Sequence, residues 1–201
     1  MNELLPRVTR YFLLYADAAK LISVRWSHHI LDKLREHLPS RGHTPEQVAA
    51  ILTLLEDGWQ DALVDIGPGD YAALVALHMD DREDKDVLAA AIAADADVIC
   101  TENTSDFPLD VARSFAVSVE TFDQLFTRVL EERPVETIDV FRIIADLLGD
   151  GERVTTWLAK AGAAAFAQRV TEASAASSAW RWANSLGAES SSSFSASSDW
   201  L

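Results

Sequence analysis

Cysteine is nearly absent: Cys100 is the only one in 201 residues. A lone thiol excludes an internal disulfide framework and any paired-cysteine zinc site. Set in the apolar run "ADVICT", it reads as buried filler in a reducing cytoplasm, not as a nucleophile. Basic residues are also scarce, 17 against 32 acidic, for a formal net charge of −15. Modules that bind nucleic acid by neutralising phosphates show the opposite balance, so a simple DNA-binding module is excluded. A site where metal ions carry the positive charge remains compatible, as does a basic protein partner. No apolar run approaches the ~18–20 residues of a membrane span, and no basic stretch followed by an apolar one opens the chain. Neither a membrane nor export is therefore expected. There is no HExxH, P-loop or GxSxG. His28 and His29 are sequence neighbours, so a helix points them in different directions and they make no metal pair.

The rest of the sequence alternates strands and helices. "PRVTRYFLLYADAAKL" (6–21) has helical apolar spacing and "ISVRW" (22–26) reads as a strand. "SHHILDKLREHL" (27–38) is helical with Ser27 as N-cap, and "TPEQ" (44–47) opens a helix with Thr44 as cap, Pro45 at N1 and Gln47 at N3. "ALVDI" (62–66) reads as a strand, and "GPGD" as a turn into a short helix. "ADVICT" (96–101) lacks in/out alternation, which suits a parallel strand covered on both faces, and "FAVSVE" (115–120) is one more. This alternation predicts an α/β layer fold with a parallel sheet. After Glu132 the pattern is helical only, through Ile138, Phe141, Ile144 and Leu148 and again through "TTWLAKAG" and "AAFAQRV". From Ala173 the chain is Ser/Ala-rich and of low complexity, a tail in which Trp180, Trp182, Phe194 and Trp200 are the only large anchors. The division expected is a first domain over 1–133, a helical extension over 134–172 and a disordered tail over 173–201.

The most charged segment is "DDREDKD" (80–86), seven consecutive charges of which five are acidic. Asp80 or Asp81 can cap the helix that follows, and Glu83 can complete a capping box. Several carboxylates within one turn repel each other, however, unless cations sit among them. The strand "ADVICT" ends in "ENTSDFP", which carries Glu102, Asn103 and Asp106. Ligands of parallel sheets gather at the carboxyl ends of strands. A helix start lying over that strand end would bring Asp84 and Asp106 to one pocket. Hard oxygen donors without His or Cys suit Mg²⁺ or Mn²⁺, ions that activate water and stabilise charge on a phosphodiester.

The block "DREDKDVLAAAIAADADVICTENTSDFP" (81–108) resembles PIN-domain ribonucleases, in particular VapC-type toxins of bacterial toxin–antitoxin pairs. The similarity extends through "VRWSHHILDKL", "TPEQVAAILTLLED" and "FAVSVETFDQLF", covering most of residues 2–172. The resemblance implies a three-layer α/β/α fold with a central parallel sheet, followed by a C-terminal helical extension. It also implies metal-dependent cleavage of RNA by a cluster of acidic residues, a cognate antitoxin as partner and a homodimer. By position, Asp84, Asn103 and Asp106 become the catalytic and metal-binding residues with Mg²⁺ or Mn²⁺. Thr101 supports the site loop, and Asp81 caps the helix.

Two positions depart from the family pattern. Members open with an apolar strand ending in Asp-x-Asn; here Asn2 matches the Asn, while the Asp and its strand would lie ahead of Met1. The Glu of the helix after "WS" is replaced by Lys33. Asp32 is adjacent, but one helical step turns a side chain by about 100°. A catalytically silent scaffold that binds an antitoxin-like protein or RNA is the alternative these departures raise.

Overall fold

The computed structural model describes residues 6–74, 82–107 and 113–176. Helix α1 (Arg7–Ala18) leads to strand β1 (Trp26–Ser27), helix α2 (His28–His37) and helix α3 (Pro45–Gly58). Strand β2 (Leu63–Val64), helix α4 (Pro68–Leu74), helix α5 (Arg82–Ala93) and strand β3 (Val98–Cys100) follow. Strand β4 (Ser118–Glu120) precedes α6 (Phe122–Glu132), α7 (Pro134–Leu148), α8 (Gly151–Lys160) and a last helix, α9, over 164–176. Helices alternating with parallel strands make this an α/β protein, as the sequence predicts. No described helix is long and apolar enough to cross a membrane.

Local chemistry accounts for the helix starts. The Ser27 hydroxyl accepts from the Ile30 amide at 3.4 Å and so caps α2. Thr44 and Gln47 form a reciprocal capping box ahead of Pro45 at N1 of α3. Thr121 and Gln124 repeat that box at α6. Helix α7 ends at Gly149, whose φ of +93° suits a residue without Cβ. Asp80 and Asp81, read as caps of α5, lie outside the described residues, as do Asn2 and the tail from 177.

The strands differ from the expectation of one sheet. The described strands form two parallel pairs, β1 with β2 (Trp26 opposite Leu63) and β3 with β4 (Val98 opposite Ser118). The run 22–26 is strand only at its end. One reason is visible at Val24, whose amide donates to Asp17 Oδ1 at 3.0 Å instead of entering a ladder.

Two clusters hold the elements together. The larger joins α1, α2, α3 and α6–α9 around Phe12, Phe122, Phe126 and Phe166, all fully buried. Phe122 stacks on Phe126 with centroids 4.4 Å apart, and Phe12 meets Phe166 edge-on at 5.2 Å. Helices after residue 134 thus share a core with the first helix of the chain. Helix α9 runs through 176, four residues into the stretch that reads as low complexity, and Ala173 packs against this core. The smaller cluster (Leu74, Leu88, Ala89, Ile99, Phe107 and Val117 among its members) seats α5 on β3 and β4.

Candidate functional site

Helix α5 buries Leu88, Ala89 and Ala90 and turns Glu83, Asp84 and Val87 toward a cavity of about 960 Å³. The loop after β3 brings Thr101, Asn103 and Asp106 to the same cavity. The helix start and the strand end thus line one cavity. Thr101 is buried, and its hydroxyl accepts from the Asn103 amide at 3.1 Å, which fixes the turn out of β3. Asn103 and Asp106 are exposed and Asp84 is half-buried. Asp106 Oδ1 accepts a long hydrogen bond, 3.5 Å, from the Ser105 hydroxyl.

Asp32 lies elsewhere. Its exposed carboxylate pairs with Arg35 on the surface of α2, and Asp32 does not line the cavity, whereas Lys33 does. The 100° step along the helix decides which of the two neighbours enters. The Lys33 ammonium is ion-paired with Glu83 and lies 3.3 Å from Glu36. These carboxylates, the Glu83 hydrogen bond first, raise the lysine pKa above its ordinary value. Cys100 is half-buried and also lines the cavity.

Several contributors were not among the site residues expected from sequence. Glu83 is the chief partner of Lys33. Asp86, one turn on, accepts from the Tyr71 hydroxyl at 2.8 Å and lies 3.8 Å from His29 Nδ1, tying α5 to α4 and α2. Arg128 donates from Nη2 to both carboxylate oxygens of Glu120, at 3.1 and 3.0 Å, and that bond raises the arginine pKa. The charge run 80–86 flagged the region of Glu83 and Asp86. Nothing in the sequence signals which partner each of these acids meets, because the partners are 15 to 57 residues distant.

Cations border this acidic cavity. Arg25, Lys33, Arg41 and Arg128 all line it, in a chain whose net charge is −15. Glu83, Asp84, Asp95, Asp97, Asp106 and Glu132 line it as well, so acids and cations share the wall.

The resemblance implies Mg²⁺ or Mn²⁺, and the donor set tests that. Among the described residues, no three of His, Cys, Asp and Glu come close enough together to hold a metal ion. Glu83 is engaged by Lys33, leaving Asp84, Asp106 and the neutral Asn103 as the oxygen donors of the predicted site. Two carboxylates beside an ammonium do not make a divalent-cation centre. The described residues by themselves do not fit the ion.

A family model described as PIN domain matches residues 4–105, just over half of the chain. No curated protein and no solved structure matches it.

Proposed function

Since the chain belongs to the PIN-domain family, whose members are nucleases that generally depend on divalent metals, we propose that it is an endoribonuclease of the VapC kind, the toxin of a toxin–antitoxin pair. The observation that carries this reading is the convergence of Asp84, Asn103 and Asp106 on one cavity at the carboxyl end of β3, with cations at its border. RNA is a polyanion that those cations would contact, and Asp84 and Asp106 line the space where a phosphodiester would lie. The three-layer arrangement with a helical extension goes with this reading, and so does a cytoplasmic place of action.

Within the site the residues have separable tasks. Arg25 and Arg41 would contact the RNA backbone, and the Thr101 hydroxyl holds the Asn103 amide so that the loop keeps its shape. Asp84 and Asp106 are the acids available to orient a water or hold its proton. Mg²⁺ or Mn²⁺ belongs to the family chemistry, and its binding here would need a donor beyond those described. The partners that go with the reading are the cognate antitoxin and a second copy of the chain. Helix α7 presents Val135, Ile143 and Leu147 on its outside, an exposed apolar row of the kind that protein partners cover.

The Lys33–Glu83 pair favours a second reading, a silent PIN scaffold that binds RNA or an antitoxin-like protein without cutting. One experiment separates the two. The purified chain is incubated with single-stranded RNA and Mn²⁺, with and without EDTA. Cleavage that EDTA abolishes establishes the nuclease; RNA binding without cleavage establishes the scaffold.

A further inference from the structure

Helix α7 is apolar on more of its surface than the core uses. One side buries Ile138, Val140, Phe141, Ile144 and Leu148. The other carries Val135, Ile143 and Leu147, three of the five large apolar side chains exposed among the described residues. A helix apolar on opposite sides is normally covered on both, whereas single apolar residues scattered over a surface call for no cover. These three are not scattered. Val135, Asp139, Ile143 and Leu147 follow one another at every fourth position and so form one ridge along the helix. At about 1.5 Å rise per residue the ridge is roughly 18 Å long, the reach of a helix of three turns or so.

The ridge is acidic as well as apolar. Asp139 lies within it, Asp146 and Asp150 lie in the row beside it, and all three are exposed. The cations of this helix are already engaged. Arg133 donates to Glu136 from Nε and Nη2, at 2.9 and 2.7 Å, and Arg142 donates to Asp139 and to the Ser174 carbonyl, both at 3.4 Å. No residue of α7 lines the cavity of the candidate site, so the two surfaces are separate.

Charge decides among the occupants. A second copy would bring the same carboxylates against these, in a chain already at −15, and like charges oppose that contact. Residues 177–201 hold one cation, Arg181, against Glu189 and Asp199, so the tail offers no cationic complement. An anionic lipid surface is repelled for the same reason. What matches an apolar ridge set among carboxylates is a helix with an apolar stripe and Lys or Arg beside it.

We propose that the outer face of α7 is a docking surface for a cationic amphipathic helix of a separate protein. The apolar side chains of that helix cover Val135, Ile143 and Leu147, and its lysines or arginines meet Asp139 and Asp146. Burial of Ile138, Phe141 and Ile144 beneath the ridge holds α7 in place, so the ordering on docking falls on the partner. The inference rests on the reading of this row as a partner surface and narrows it to one partner chemistry. It holds whether or not the chain cuts RNA.

The test uses the full chain and two fluorescein-labelled synthetic peptides of identical composition. One repeats Leu-Lys-Lys-Leu-Leu-Lys-Ala, which puts leucine on one helical face. The other alternates the same leucines and lysines, so that no helical face is apolar. Anisotropy gives the affinity, and amide chemical shifts give the location. The proposal expects the first peptide to bind at least about ten-fold more tightly than the second, with shifts centred on Ile143 and Leu147. Ile143→Ser combined with Leu147→Ser should weaken that binding by about ten-fold or more. Asp139→Asn combined with Asp146→Asn should weaken it and flatten its salt dependence. All four side chains are exposed, so both variants keep the fold, which thermal melts verify. Equal affinity for the two peptides overturns the proposal, since charge alone then explains binding. So do shifts centred away from α7, unchanged affinity in the Ser variant, or no binding at millimolar peptide. A wild-type dimer in light scattering that the Ser variant loses also overturns it, because the face then belongs to a second copy. Cleavage of RNA by the same samples reads the nuclease proposal separately, so either can fail alone.

Discussion

The ammonium of Lys33 is ion-paired with the carboxylate of Glu83, joining the middle of α2 to the first turn of α5. That pair holds the acidic helix start against its neighbour and raises the lysine pKa above 10.5. A folded-state pKa raised in this way stabilises the fold fully below the unfolded value, and the contribution is lost as pH rises through the folded value. The thermal midpoint of the wild-type chain should therefore exceed that of Lys33→Met by a constant amount from neutral pH to about 10.5, and the gap should close above that. Thermal melts of the two forms across this range check it. A gap that widens with rising pH would show that the lysine is not the stabilised cation.

The same pair sets the response to metal. An ammonium lining the same cavity as Asp84 opposes a divalent cation there electrostatically. If a divalent ion binds in this cavity, Lys33→Ala should lower the Mn²⁺ concentration needed for half-maximal stabilisation in a thermal shift titration by about ten-fold. An unchanged titration would place the ion away from α2.

Asp84→Asn and Asp106→Asn keep side-chain volume while removing charge at the two carboxylate positions of the predicted site. If the chain is a nuclease, each should reduce RNA cleavage by about 100-fold or more, the usual scale for removing a polar group from a catalytic centre. Both side chains have access to solvent, so thermal midpoints should move by only a few degrees. Full activity in either variant removes that residue from the site.

Thr101→Val replaces a buried hydroxyl with a methyl group and leaves the Asn103 amide without its 3.1 Å acceptor. The expected destabilisation is about 1 kcal/mol, with faster amide exchange at Asn103 and little change at Val98. Uniformly faster exchange through β3 would mean that Thr101 supports the strand and not the turn.

What was legible in the sequence was local. Thr44, Pro45 and Gln47 specify a helix start within four residues, and the capping box is present as read. Lys33 entering the cavity in place of Asp32 follows from helical angle alone. "ISVRW" and "ALVDI" are apolar enough for strands, yet a ladder needs a neighbour, and only Trp26–Ser27 and Leu63–Val64 find one in each other. Lys33 meeting Glu83, and Asp86 meeting Tyr71, depend on where α5 lands against α2 and α4, which no local pattern encodes. The sharing of one core by α1 and α7–α9 was equally invisible, because apolar helix faces do not name their partners.

That shared core leads to a prediction about cooperativity. Phe166 in α9 is fully buried against Phe12 of α1 and Phe122 and Phe126 of α6. Truncating a buried Phe to Ala costs about 3–5 kcal/mol, from lost transfer energy and the cavity left behind. In a chain of this size ~1 kcal/mol moves the midpoint by roughly 2–4 °C, so Phe166→Ala should lower it by about 10 °C. Because the ring in α9 packs on α1 and α6 alike, the loss should fall on the whole molecule. Urea unfolding followed by far-ultraviolet dichroism and by tryptophan emission should give one coincident transition, shifted as a unit in the variant. Trp26 and Trp59 report near β1 and α3, and Trp157 reports on α8. A variant in which the dichroism splits into two steps, the earlier one sparing α1 to α6, would show that the helices after Pro134 fold as a separate unit.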